Sequence, residues 1–165
     1  MAVAFNADEI FKIGVQIEVN GCNFYTVAAQ KTENPDIKKL LGELAYWEER
    51  HIVIFENLRK ELSALPDTMD EFDPDNMVHL YLKSIADSKV FVKGQKMDGV
   101  IDKCNSPADI LAAALTFEKD SVVFYSSIKE AVRSDLGKAD IDKLIREELL
   151  HVGIITQELN KLGVY

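Results

Sequence analysis

One pattern is written twice in this chain. Glu18, Tyr25, Glu48 and His51 recur one hundred residues later as Glu118, Tyr125, Glu148 and His151. Each half reads Glu-x6-Tyr, a gap, then Glu-x-x-His, as Glu48-Glu49-Arg50-His51 and Glu148-Leu149-Leu150-His151. On a helix, residues three or four apart share a face, so each Glu-x-x-His aims a carboxylate and an imidazole at one point. The repeat therefore asks for two copies of a helical hairpin with polar groups facing inward.

The apolar spacing around these residues is helical. In the first segment Phe11, Gly14, Glu18, Gly21, Tyr25 and Ala28 follow one stripe, and Asn6 with Glu9 forms a capping-box start. Gly14 and Gly21 flank Glu18, each costing about 1 kcal/mol against Ala. Close helix approach and ligand access both account for them. The second segment starts at Asn34-Pro35, a cap followed by proline at the first helical position. Ile37, Leu41, Leu44, Glu48, His51, Phe55, Leu58 and Leu62 then form a bundle seam that ends before Pro66. A third helix starts at Ser106-Pro107 with Asp109 in its first turn, and its stripe is Leu111, Leu115, Glu118, Val122 and Tyr125. The fourth begins near Gly137, shows Ile141, Leu144, Glu148, His151, Ile155 and Leu162, and has Gly163 as its C′ residue. Glu18 and Glu118 each lie twelve residues past their caps Asn6 and Ser106. At 1.5 Å per residue, that is about 18 Å into each helix, at matching depth.

Residues 63–105 break the pattern. Pro66, Pro74 and the acids Asp67, Asp70, Glu71, Asp73 and Asp75 mark a solvated loop. Asp73-Pro74 caps a shorter helix through Met77, Leu80, Tyr81 and Ile85, and Gly94 and Gly99 punctuate the stretch after it. Short links within each half and one long crossover between halves predict two antiparallel hairpins, with short helices in the crossover. The expected fold is all-α: a ferritin-like four-helix bundle, with residues 1–165 as a single domain.

Four carboxylates and two imidazoles on inward seams are the ligand set of a dinuclear metal site. Glu48 and Glu148 are placed to bridge two ions, His51 and His151 to bind one ion each, and Glu18 and Glu118 to complete one ion apiece. The rival reading is a buried hydrogen-bonded network left by duplication. It would have to bury four carboxylates without cations, which is costly. Carboxylate with imidazole suits iron, with manganese or zinc also fitting, and the lack of thiolate clusters disfavours copper(I) or iron–sulfur. Six protein ligands on two ions leave positions open for water, dioxygen or peroxide.

Tyr25 and Tyr125 lie one heptad past a site Glu, where they can hydrogen-bond a carboxylate or donate an electron. A core tyrosine with a satisfied hydroxyl is the plain alternative. Glu49 and Glu147 sit about 100° around the helix from their neighbours and read as solvated or supporting groups. Trp47 reads as core or interface, His79 as a surface histidine, and Cys22 as a small buried residue.

The net charge of −9 and pI of about 4.8 argue against a nucleic-acid surface. No apolar run is long enough to span a bilayer. The N-terminus lacks a basic region followed by an apolar run, so no signal peptide is expected. Cys22 and Cys104 stand alone, which suits a reducing, cytoplasmic setting.

With Glu18, Glu48-x-x-His51, Glu118 and Glu148-x-x-His151 in hand, the chain resembles the rubrerythrin branch of the ferritin-like superfamily from its first helix to its fourth. The resemblance implies a four-helix bundle with a non-haem di-iron centre, often as a homodimer, that reduces peroxide or oxidises Fe(II). Two features depart from the family. Rubrerythrins proper carry a four-cysteine rubredoxin domain, so electrons here would come from a separate donor such as a rubredoxin. They also hold an extra Glu one turn from the third-helix ligand, where this chain has Leu115 and Ser121 around Glu118. The expected function is thus a di-iron carboxylate oxidoreductase acting on peroxide or dioxygen. The alternative is a metal-binding, storage or sensing bundle without turnover.

Overall fold

The computed structural model describes residues 7–62, 80, 81, 84, 98–131 and 137–164. Helices α1 (Ala7–Lys31) and α2 (Pro35–Leu62) form the first hairpin. A short α3 (Asp98–Ile101) precedes the second hairpin, α4 (Pro107–Ala131) and α5 (Lys138–Lys161). Helices α1 and α4 begin and end one hundred residues apart, so Glu18 and Glu118 occupy the same position in helices of equal length. The sequence repeat is a structural one.

The local signals act as their chemistry requires. Asn34 Oδ1 accepts from the backbone N–H groups of Asp36 (3.0 Å) and Ile37 (3.2 Å), opening α2 with Pro35 in its first turn. Ser106 Oγ accepts from the Asp109 N–H at 3.1 Å, while the Asp109 carboxylate accepts from the Asn105 N–H at 2.9 Å. This reciprocal pair keeps the Asp109 carboxyl below its usual range, chiefly through the Asn105 bond. Gly137 starts α5 at φ 73°, and a Cβ there would lie 2.0 Å from Leu58 Cδ2. Gly163, also at φ 73°, follows the helix end as expected.

Every expected seam residue from Ile37 to Leu58 is buried. Two of the expected positions move. In α5 the last buried residue is Leu159, and Leu162 is exposed because the helix ends at Lys161. In α4 the stripe turns through Ser121, leaving Val122 half-buried. Cys22 is half-buried and not enclosed. The expected Asn6 cap, Pro66 stop, Asp73-Pro74 helix start, His79 and Gly94 lie outside the described residues. Of the crossover, the described residues show helix at Leu80, Tyr81 and Ser84 and in α3.

Two apolar clusters fill the bundle. One joins Ile10 and Phe11 of α1, Phe55 and Leu58 of α2, Phe124 and Ile128 of α4, and Ile141 and Leu144 of α5. The other joins Phe24 and Ala28, Leu41 and Leu44, Leu111 and Ala114, and Ile155 and Leu159. Early α1 therefore packs with late α2, late α4 and early α5. Helices α2 and α4 run the same way, so the end of α2 and the start of α4 lie at opposite ends of the bundle. For a 28-residue α2 that separation is about 42 Å, which a short link cannot span. Glu18, Glu48, Glu118 and Glu148 fall between the two clusters.

Candidate metal centre

All six expected ligand residues are brought together. Glu18, Glu48, His51, Glu118, Glu148 and His151 are each no more than 5% exposed. Two overlapping groups have donor atoms within 4.8 Å of one another: Glu18, Glu48, His51 and Glu148, and Glu48, Glu118, Glu148 and His151. Glu48 and Glu148 belong to both groups, so each lies within reach of the donor atoms of both. The imidazole rings of His51 and His151 lie 5.9 Å apart at an interplanar angle of 24°.

The glycine question is answered by contact. A Cβ at Gly14 would lie 2.7 Å from the Phe55 ring, and one at Gly21 would lie 3.0 Å from Glu48 Oε2. Both residues let α2 approach α1, and Gly21 leaves room for the Glu48 carboxylate itself. The counterparts Ala114 and Ser121 are small and buried as well.

Whether this pocket suits cations is tested by its unmet hydrogen bonds. Both Glu18 oxygens, Glu148 Oε1 and His51 Nδ1 are buried with no hydrogen-bond partner. His51 Nδ1 lies 3.0 Å from Glu148 Oε1 and 3.4 Å from Glu18 Oε2, close but not aligned for hydrogen bonding. His151 Nδ1 lies 3.4 Å from Glu118 Oε2 and is hydrogen-bonded to Glu148 Oε2 at 3.2 Å. The unpartnered atoms of Glu18, His51 and Glu148 lie close together without satisfying one another, which fits a shared cation.

Protonation shows what the cluster costs without one. Burial raises Glu18 and Glu48 well above the usual carboxylate range; the neighbouring carboxylates add to this at Glu48, while at Glu18 a contact with Glu48 works against it. Burial, with the Glu148 charge next, raises Glu118 to about 8. Burial pushes Glu148 upward too, but its contacts with Glu118, His151 and His51 outweigh that and hold it below its usual value. The histidines go the other way: burial disfavours their charged form, yet carboxylate neighbours raise His51 to about 9 and His151 to about 10. Without cations, burial and mutual repulsion favour the protonated forms of Glu18, Glu48 and Glu118, and the carboxylates favour charged His51 and His151.

The tyrosines break the symmetry. Tyr25 donates its hydroxyl to Glu118 Oε1 across the bundle. The Tyr125 hydroxyl is buried without a partner, as are both oxygens of Glu18, the carboxylate that corresponds to Glu118. Each tyrosine also packs edge-on against the preceding phenylalanine, Phe24 at 5.4 Å and Phe124 at 5.6 Å, so the repeat extends to a pair of aromatic clasps.

One site residue escaped the sequence reading in part. Glu147 Oε2 lies 3.0 Å from His51 Nε2 on the opposite hairpin. A carboxylate on the outward nitrogen of a metal-facing imidazole is a usual supporting contact. Helical spacing had placed Glu147 off the seam, and the contact is made across helices. Glu49 is exposed and Trp47 half-buried beside His151.

The family model described as Rubrerythrin matches residues 9–87. No curated protein matches the sequence. A Thermotoga maritima crystal structure, described as a ferritin-like diiron-carboxylate protein, is similar over 94% of this chain and 95% of its own, with a TM-score of 0.68 and 22% identity. No helix among the described residues is long and apolar enough to cross a membrane. Residues 9–87 are thus similar to the rubrerythrin family, on a ferritin-like all-α fold that runs nearly the whole length of the chain.

Proposed function

We propose that this chain is a di-iron carboxylate oxidoreductase that reduces peroxide or dioxygen with electrons from a separate donor. The observation that carries the reading is the pair of overlapping buried donor groups sharing Glu48 and Glu148. In this reading Glu48 and Glu148 hold both ions, His51 and Glu18 complete one, and His151 and Glu118 complete the other. When bound, two Fe(II) ions would supply the two electrons that convert peroxide, with two protons, to two waters; manganese would fill the same donor set. Tyr25 orients Glu118 through its hydroxyl, and the apolar clusters on either side exclude bulk water. Tyr25 and Tyr125 are the candidates for supporting catalytic roles. The reading also places the protein in a cytoplasmic setting, as a homodimer, with a rubredoxin-like protein as donor.

The test is direct. Metal-free protein is loaded anaerobically with two Fe(II) per chain, mixed with hydrogen peroxide, and its oxidation followed optically. Oxidation faster than that of free Fe(II), and slowed at least tenfold by Glu48→Ala, is expected, since a lost bridging carboxylate removes a ligand from both ions. Equal rates for free Fe(II), the parent and Glu48→Ala would overturn the reading.

A second reading, metal held for storage or sensing without turnover, is favoured by the residues around Glu118. Leu115 and Ser121 are both buried beside it and supply no further carboxylate. Steady-state peroxide consumption with a rubredoxin and its reductase separates the two, because a storage or sensing protein oxidises once and stops.

A further inference from the structure

The two halves of the site differ where the repeat is broken. At the hundred-residue offset, Glu147 corresponds to Trp47. Both precede a shared carboxylate, both are half-buried, and both face the histidine of the other hairpin. The outward nitrogen of His51 meets a carboxylate at 3.0 Å. The His151 ring meets instead the indole of Trp47, 6.2 Å away between centroids and tilted by 53°. Among the described residues, carboxylates approach His151 at Nδ1 alone. Arg50 stacks on the Trp47 ring at 5.1 Å, which adds a cation beside the His151 half.

Each difference acts in the same direction. An anionic acceptor on Nε2 fixes the tautomer that leaves Nδ1 free, holds the ring in place and makes it a stronger ligand. Glu147 also brings a fourth carboxylate to the His51 half, while Arg50 brings positive charge to the other. We propose that the two metal positions are inequivalent: Glu147 is a positioning residue for His51, and the ion held by Glu18, Glu48, His51 and Glu148 is kept more tightly than the one beside His151. This rests on the di-metal reading above. It implies that the His151 position empties first and exchanges its metal more readily.

The experiment uses the full chain, stripped with a chelator and titrated with Co(II) alone, followed by calorimetry and by visible absorption of the bound ion. The parent is expected to bind two Co(II) in steps at least about tenfold apart. Glu147→Ala is expected to weaken the tighter step by about 10–100-fold and to leave the weaker one within about threefold. Glu147→Gln keeps an acceptor at the same reach without the charge, and is expected to recover part of that loss and to restore the absorption of the first ion. Were Glu147→Ala not to fold, Glu147→Gln would be held to the same criterion, a selective loss of at least about threefold from the tighter step. An unmoved tighter step, an equal loss in both, or two indistinguishable steps in the parent overturns the inequivalence while leaving the di-metal reading intact. Fewer than two Co(II) in the parent overturns the di-metal reading, and this inference with it.

Discussion

At the scale of single residues, close approach decides more than hydrophobicity does. Gly14 carries no chemistry, yet the Phe55 ring occupies the space its Cβ would need, at 2.7 Å. Gly14→Ala gains about 1 kcal/mol of helix propensity. It must also move a fully buried ring that packs on Tyr125 at 5.2 Å, an overpacking cost of about 1–3 kcal/mol. A net loss of about 1 kcal/mol and a Tm lower by about 2–4 °C is expected for a chain of this size, read by thermal melting of the metal-free protein. An unchanged or higher Tm would mean that Phe55 rotates away freely. Residues of this kind also mark how far the sequence could be read. The six candidate ligands were legible because a carboxylate on an apolar seam is costly unless it is paired. The contacts of Glu147 with His51 and of Tyr25 with Glu118 join helices from opposite hairpins, and spacing along one helix carries no information about that. Glu147 lies off its own seam, and the neighbouring seam brings it into use.

At the scale of elements, helix starts were legible and the exact buried positions along each helix less so. Asn34 and Ser106 are local devices: their side chains accept from N–H groups two or three residues on, so sequence alone specifies them. Asn34→Ala removes two such bonds and is expected to cost about 1 kcal/mol, read as a Tm lower by about 2–4 °C with metal binding unchanged. The last clause is the sharper one. Glu48 lies fourteen residues from the cap, and a loss of metal on capping loss would show that the start of α2 is coupled to the site. The last core position of α5 was misread for a complementary reason. Leu162 continues the apolar rhythm, but the turn ahead of Gly163 takes it off the helix, and Leu159 fills the core instead. Val122 was misjudged because α4 presents small Ser121 inward, at the position that Gly21 holds in α1. Periodicity predicts a stripe about two residues wide, and neighbouring helices choose its centre.

At the scale of the whole molecule, the site and the fold oppose each other until cations arrive. Without metal, the folded chain holds protons that the unfolded chain would release. Burial raises Glu18, Glu48 and Glu118, the last to about 8, and their neighbours raise His51 to about 9 and His151 to about 10. For a group whose folded value is raised, the stability it contributes is complete below the unfolded value and is lost as pH climbs to the folded one. The carboxyls act from about 4.5 upward and the imidazoles from about 6.5, so all five lower stability with rising pH across the neutral range. Glu148, held below its usual value, has the opposite sign, but its contribution is already complete above about pH 5 and does not change there. Each extra proton held by the fold is worth about 1.4 kcal/mol per pH unit, or about 3–5 °C of Tm. The metal-free protein is therefore expected to melt at steadily lower temperature from pH 5.5 to 8.5. The metal-loaded protein should behave oppositely, since cations bind the deprotonated ligands and proton competition eases as pH rises. Melting curves of both forms across that range should diverge with pH, and calorimetry of metal binding should show protons released to the buffer. A metal-free Tm that stays level or rises over the same range would mean that the five raised groups are not protonated as a cluster, and that the fold does not depend on cations to relieve it.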